Sequence, residues 1–114
     1  MSEKQKERLE ELFRLIKENP DLPILPMVDS EIVADDGYAQ WTGSWGRAHI
    51  EEYYITEERI HFKESDDFGE VEDVLSSEYG YTVFETMSDE VALSTYNNLP
   101  WIKAIIVDID LPEV

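Results

Sequence analysis

Trp101-Ile102-Lys103-Ala104-Ile105-Ile106-Val107-Asp108-Ile109-Asp110-Leu111 is the stretch that decides the fold. A strand with one wet face alternates apolar and polar residues, whereas 104–107 is apolar on both faces. The pattern therefore predicts a strand covered on both sides and central in its sheet. Upstream, Asp67 and Glu70 cap a short helix striped by Phe68, Val71 and Leu75, and Gly69 weakens it. Ser88, followed by Asp89 and Glu90, starts a second helix whose stripe is Val91 or Ala92, Thr95, Tyr96 and Leu99, closed by Asn97-Asn98 ahead of Pro100.

Between Ser30 and Glu64 the period falls to two, with turn signals at Asp35-Asp36-Gly37, at Gly43-Ser44-Trp45-Gly46 and at Thr56-Glu57-Glu58-Arg59. This reads as an antiparallel meander with strands near 31–34, 38–43, 48–55 and 59–63, and Asp36-Gly37 as the tightest hairpin. Pro20, Pro23 and Pro26 mark 20–27 as an extended connector. At the start, Leu9, Leu12, Phe13 and Ile16 fall at i, i+3, i+4 and i+7, the stripe of an amphipathic helix over 3–18. Ser2 and Gln5 have capping-box spacing, and Asn19-Pro20 stops the helix. The expected architecture is one α+β domain over 1–114. It has a mostly antiparallel four- to five-stranded sheet, an N-terminal amphipathic helix and short acidic helices.

Charge limits the partners. The chain has 27 Asp and Glu against 9 Lys and Arg, a formal net charge of −18. Five of the bases lie within the first 17 residues, and none falls between Lys63 and Lys103. Such a field repels nucleic acid and anionic membrane and attracts basic protein surfaces. Self-repulsion of this size is relieved by screening, so salt is expected to stabilise the fold. Without cysteine there is no disulfide or thiol chemistry, and with no apolar run longer than Ala104–Val107 there is no expected span or signal, so the expected location is cytoplasmic.

No catalytic motif or cofactor signature stands out, and the expectation is a non-enzymatic protein without cofactor or metal. His49 and His61, on neighbouring predicted strands near Glu51 and Glu52, carry the chemistry of a metal pair or general base, but ordinary strand histidines fit them better. Asp108 and Asp110 share a face at a strand end, as in phosphoryl-transfer sites, without a Lys or Arg nearby to hold phosphate. Trp41 and Trp45 form an alternative binding face for a small ligand or peptide, although a core role is expected for at least one of them. The acidic face itself is the leading candidate, with Glu64, Asp66, Asp67, Glu70, Glu72 and Asp73 at its centre. Ten acids between Glu64 and Glu90 approximate the charge track of duplex DNA, which carries one charge per about 1.7 Å.

Several stretches also resemble a family. Leu15-Ile16-Lys17-Glu18-Asn19-Pro20-Asp21-Leu22-Pro23-Ile24, Met27-Val28-Asp29, Ala34-Asp35-Asp36-Gly37-Tyr38, Trp41-Thr42-Gly43-Ser44-Trp45-Gly46 and Leu99-Pro100-Trp101-Ile102-Lys103-Ala104-Ile105-Ile106-Val107 are similar to small acidic phage and prophage proteins of Gram-positive bacteria. The resemblance carries no assigned activity and transfers no functional residue. It implies a setting, the bacterial cytoplasm during infection or lysogeny, where small acidic phage proteins sometimes inhibit host nucleases. The expected partner is a basic surface of a host or phage protein, engaged by DNA mimicry, with neither nucleic acid nor membrane bound directly.

Overall fold

The computed structural model describes residues 2–33 and 40–112. The elements are α1 (Glu3–Glu18), β1 (Ile24–Val28), a 3-10 turn (Ser30–Val33), β2 (Ser44–Ile55), β3 (Ile60–Phe62), α2 (Phe68–Tyr79), α3 (Tyr81–Phe84), α4 (Asp89–Asn97) and β4 (Ile102–Asp110). The fold is α+β, and its four-stranded sheet has the order β1-β4-β2-β3. The sheet is mixed: β1 pairs parallel with β4, from Ile24 opposite Ile105 to Val28 opposite Ile109, and β2 pairs antiparallel with β3. The chain divides into two compact units, one formed by Met1–Glu51 and Lys103–Val114, the other by Glu52–Ile102.

In the first unit, Ser2 caps α1 by accepting from the Gln5 N–H at 3.2 Å. The Gln5 side chain reaches the backbone of β2, accepting from the Trp45 N–H at 2.7 Å and donating to the Trp45 carbonyl at 2.9 Å. One turn further, the Glu11 carboxylate accepts from the Ala48 N–H at 2.9 Å and from Arg47 at 3.2 Å. The Ala48 N–H is the main reason this carboxyl is held below its ordinary value. Leu12, Ala48, Ile105 and Val107 form the core, with Leu15, Ile16, Leu22 and Ile50 against it. Phe13, expected in the apolar stripe, is 61% exposed, because the buried face follows Leu12, Leu15 and Ile16 instead.

Four expectations for this unit change. Residues 24–28 are a strand rather than a connector, and Pro26 is tolerated because β1 lies at the end of the sheet order, where a missing N–H breaks no ladder. Residues 30–33 are a 3-10 turn, not a strand, since the Asp29 carboxylate accepts from the Glu31 N–H at 2.9 Å and holds the backbone locally. The supposed turn at 43–46 leads straight into β2, whose small residues Ser44, Gly46 and Ala48 point inward while Trp45 and Arg47 point out. Gly46 is required by close approach: a Cβ there would lie 2.6 Å from Asp110 Oδ2 and 2.8 Å from the Asp108 carbonyl. The Asp36-Gly37 hairpin and residues 38–39 fall outside the described residues, whereas 40–43, the rest of the expected 38–43 strand, are not strand and only lead into β2 at Ser44.

In the second unit, β2 and β3 form the expected hairpin, with Tyr53 opposite Phe62 and Tyr54 opposite His61. Asp67 caps α2, and Ser88 caps α4. Their buried faces, Val71, Val74 and Leu75 on one and Ala92, Tyr96 and Leu99 on the other, build one core. Tyr54 and Tyr96 both pack edge-on against Trp101, at ring-centroid separations of 5.8 and 4.9 Å. Gly80, at φ +91°, takes the left-handed conformation that ends α2 and lets α3 begin.

Candidate functional site

The second unit, fully described, carries thirteen Asp and Glu against Arg59 and Lys63, a net of −11. Both bases are held by carboxylates of the same unit. Arg59 donates to Glu70 at 2.9 and 3.1 Å and to Asp73 at 3.3 Å, and Lys63 pairs with Glu52 at 3.6 Å.

Glu70 is the hub of a polar array. Its carboxylate can only accept, so His61 Nδ1, 3.0 Å away, carries the proton of that contact. His61 Nε2 faces the Thr56 hydroxyl at 2.9 Å, and His61 is 1% exposed. Thr56 itself closes the β2–β3 turn, accepting from the Glu58 and Arg59 N–H groups. Burial opposes the charge on Glu70, but hydrogen bonds from Arg59 and His61 outweigh it and hold the carboxyl below its ordinary value. The same contact holds the Arg59 guanidinium above its ordinary value.

The other residues of the expected acidic face are placed differently. Glu64, Asp66 and Asp67 are exposed on the loop entering α2 and line an open depression with Lys63 and Ser65. This loop is pinned at two points: the Glu64 N–H donates to the Tyr96 hydroxyl at 2.7 Å, and Ser65 donates to the Asn97 side chain at 2.9 Å. Asp67 accepts from the Gly69 and Glu70 N–H groups, so its carboxylate is also fixed in direction. Glu72 is half-buried on α2, and Asp73 is exposed beside Arg59. The six residues thus split into three carboxylates on a held loop, two bound by Arg59, and Glu72.

Elsewhere, Trp41 and Trp45 are each 38% exposed, so neither is the core residue expected of the pair. His49 lies in the first unit, 3.7 Å from Glu51, and the β2–β3 register sets Tyr54, not His49, opposite His61. Asp108 and Asp110 back onto Gly46 at the end of β4. Sequence reasoning missed the Thr56–His61–Glu70–Arg59 array. Its only signal was a histidine two residues after a turn arginine, with an acid at the third helical position beyond a cap. No family model matches the chain, no curated protein matches it, and no solved structure matches it.

Proposed function

We propose that this is a non-enzymatic binding protein whose acidic surface, carried by 52–102, engages a basic surface on another protein and stands in for the phosphates of duplex DNA. The observation that carries this reading is the pinned loop at 64–67, which presents three exposed carboxylates and is held through the Glu64 N–H by Tyr96 and through the Ser65 hydroxyl by Asn97. Charges fixed in advance lose less conformational entropy on binding than charges on a free loop. With Arg59 and Lys63 already paired, no free base of this unit offsets them. In an infected or lysogenic bacterial cytoplasm, the setting implied by the resemblance, nucleic-acid enzymes offer such basic surfaces.

The test is capture from a nuclease-treated bacterial lysate with stepwise salt elution, comparing the native chain with the triple variant Glu64→Lys, Asp66→Lys, Asp67→Lys. A nucleic-acid enzyme released at moderate salt from the native chain and not held by the variant is expected, because long-range attraction between exposed charges is screened by salt. Retention of the same proteins by both would overturn the reading. The exposure of Trp41 and Trp45 favours a second reading, a peptide or small-ligand module. Its mark would be salt-tolerant binding lost in Trp45→Ala.

A further inference from the structure

The same unit exposes part of an aromatic cluster at the edge of its core. Phe84, half-buried on α3, packs against the α2–α4 core, and two rings stand beside it: Phe68 at 6.3 Å between centroids and Tyr81 at 6.4 Å. Phe68 is 39% and Tyr81 60% exposed, and Val83 next to them is 47% exposed. Contiguous apolar surface of this kind, set in a charged surround, is the usual mark of an interaction site. The surround is acidic. Asp67 precedes Phe68, Glu72 follows it by one helical turn, Glu85 follows Phe84, and both bases of the unit are held by carboxylates.

An aromatic centre inside a charged rim is the composition of an interface whose affinity comes from the centre and whose steering comes from the rim. The rim's sign fixes the partner's. A second copy would bring another unit of net −11 against this one, which argues against self-association. Because Phe68 opens α2 while Tyr81 and Phe84 lie on α3, the cluster spans two packed helices, a surface onto which a third helix fits. Apolar residues at i and i+7 of such a helix are about 10 Å apart, a span comparable with a cluster whose flanking rings lie 6.3 and 6.4 Å from Phe84.

Resting on the acidic-surface reading above, we infer that the Phe68–Tyr81–Phe84 cluster docks a cationic amphipathic helix of a partner protein, its apolar stripe on the rings and its Lys and Arg over Asp67, Glu72 and Glu85. Fluorescence anisotropy of the full chain at about 0.15 M ionic strength, where exposed charges are partly screened, tests it with two labelled peptides of about five helical turns. One is an amphipathic Leu/Lys helix; the other has the same lysines with serine in place of leucine. The native chain is expected to bind the Leu/Lys peptide about tenfold more tightly, a difference of about 1.4 kcal/mol. Phe68→Ser with Tyr81→Ser should erase that preference and leave the serine peptide's affinity unchanged. Phe13→Ser, an equally exposed ring in the other unit, should change neither. If the double variant does not fold, Tyr81→Ser alone carries the test with a partial loss.

Equal binding of both peptides would overturn the docking inference while leaving the acidic-surface reading intact, and binding of neither would overturn both. A preference that survives the double substitution, or disappears with Phe13→Ser, would overturn the inference. So would a dimer of the native chain in sedimentation that the double variant converts to monomer, because the cluster would then belong to a second copy.

Discussion

Replacing Glu70 by alanine strips the second unit of its polar hub. The His61 Nδ1–H, in a side chain 1% exposed, loses its only acceptor shown at hydrogen-bond distance, and a buried donor left unsatisfied costs about 1–3 kcal/mol. The Arg59 guanidinium loses its best partner as well, but at 46% exposure it is rehydrated, and such a pair contributes no more than about 1 kcal/mol. Together these give about 1–4 kcal/mol. Glu70→Gln keeps an acceptor for His61 and a weaker one for Arg59, so it should cost only about 1 kcal/mol, the difference between a charged and a neutral hydrogen bond. Urea unfolding at neutral pH reads both: with a slope of about 2 kcal/mol per molar, the alanine variant's midpoint should fall by roughly 0.5–2 M and the glutamine variant's by less. Glu72→Ala, removing a carboxylate two residues along α2 and on another face of the helix, should stay within about 0.5 kcal/mol of the native chain. An alanine variant as stable as the native chain would refute the hub. Equal losses for alanine and glutamine would show that charge, not the buried hydrogen bond, carries its contribution.

Three further outcomes follow from the geometry. Gly46→Ala forces a Cβ against the Asp108 backbone and should destabilise by about 1–3 kcal/mol, seen as a melting point lower by several degrees. Because the Glu11 carboxyl is held below its ordinary 4.5, its contribution is present above that value and lost as pH falls through the lower folded value. The stability gap between native chain and Glu11→Gln should therefore be full at pH 7 and close below pH 4.5, and a gap constant across this range would contradict it. Added sodium chloride should raise the melting temperature, since a net charge of −18 repels itself, and a flat or falling melting temperature would show that ion pairs dominate instead.

The elements that sequence alone made legible are those whose determinants are local. Ser2, Asn19, Asp67 and Ser88 cap or close helices where they were expected to, and the double-sided apolar run at 104–107 is the buried centre of β4. What stayed hidden depends on distant partners. Nothing near Pro26 says that Ile24–Val28 will find β4 some eighty residues later, so three prolines read as a connector. Likewise Gly43 and Gly46 read as turn residues because the atoms that forbid a Cβ there belong to Ile109, Asp108 and Asp110. The acidic face was legible as a composition but not as a division of labour. Glu70 occupies the third position after the Asp67 cap, where a reciprocal capping bond is the local expectation. Its side chain turns instead to Arg59 and His61.

That division determines how the acidic surface can be tested. Reversing charge at Glu70 or Asp73 would set a base beside Arg59 in place of one of its carboxylates, and at Glu70 it would also place a base against the buried His61. Any loss of binding would then mix lost attraction with lost structure. Glu64, Asp66 and Asp67 lack this ambiguity in different degrees. Glu64 and Asp66 hold the loop through backbone and neighbouring groups rather than through their own carboxylates, since it is the Glu64 N–H that meets Tyr96 and the Ser65 hydroxyl that meets Asn97. Asp67 also caps α2, so its reversal removes a cap contributing about 1 kcal/mol. The pair Glu64→Lys and Asp66→Lys therefore changes the field of the loop by four charge units while leaving its bonds to Tyr96 and Asn97 in place. A complex that depends on that field must weaken in this pair as it does in the triple variant; if it weakens only when Asp67 is also changed, the helix cap and not the charge was being measured.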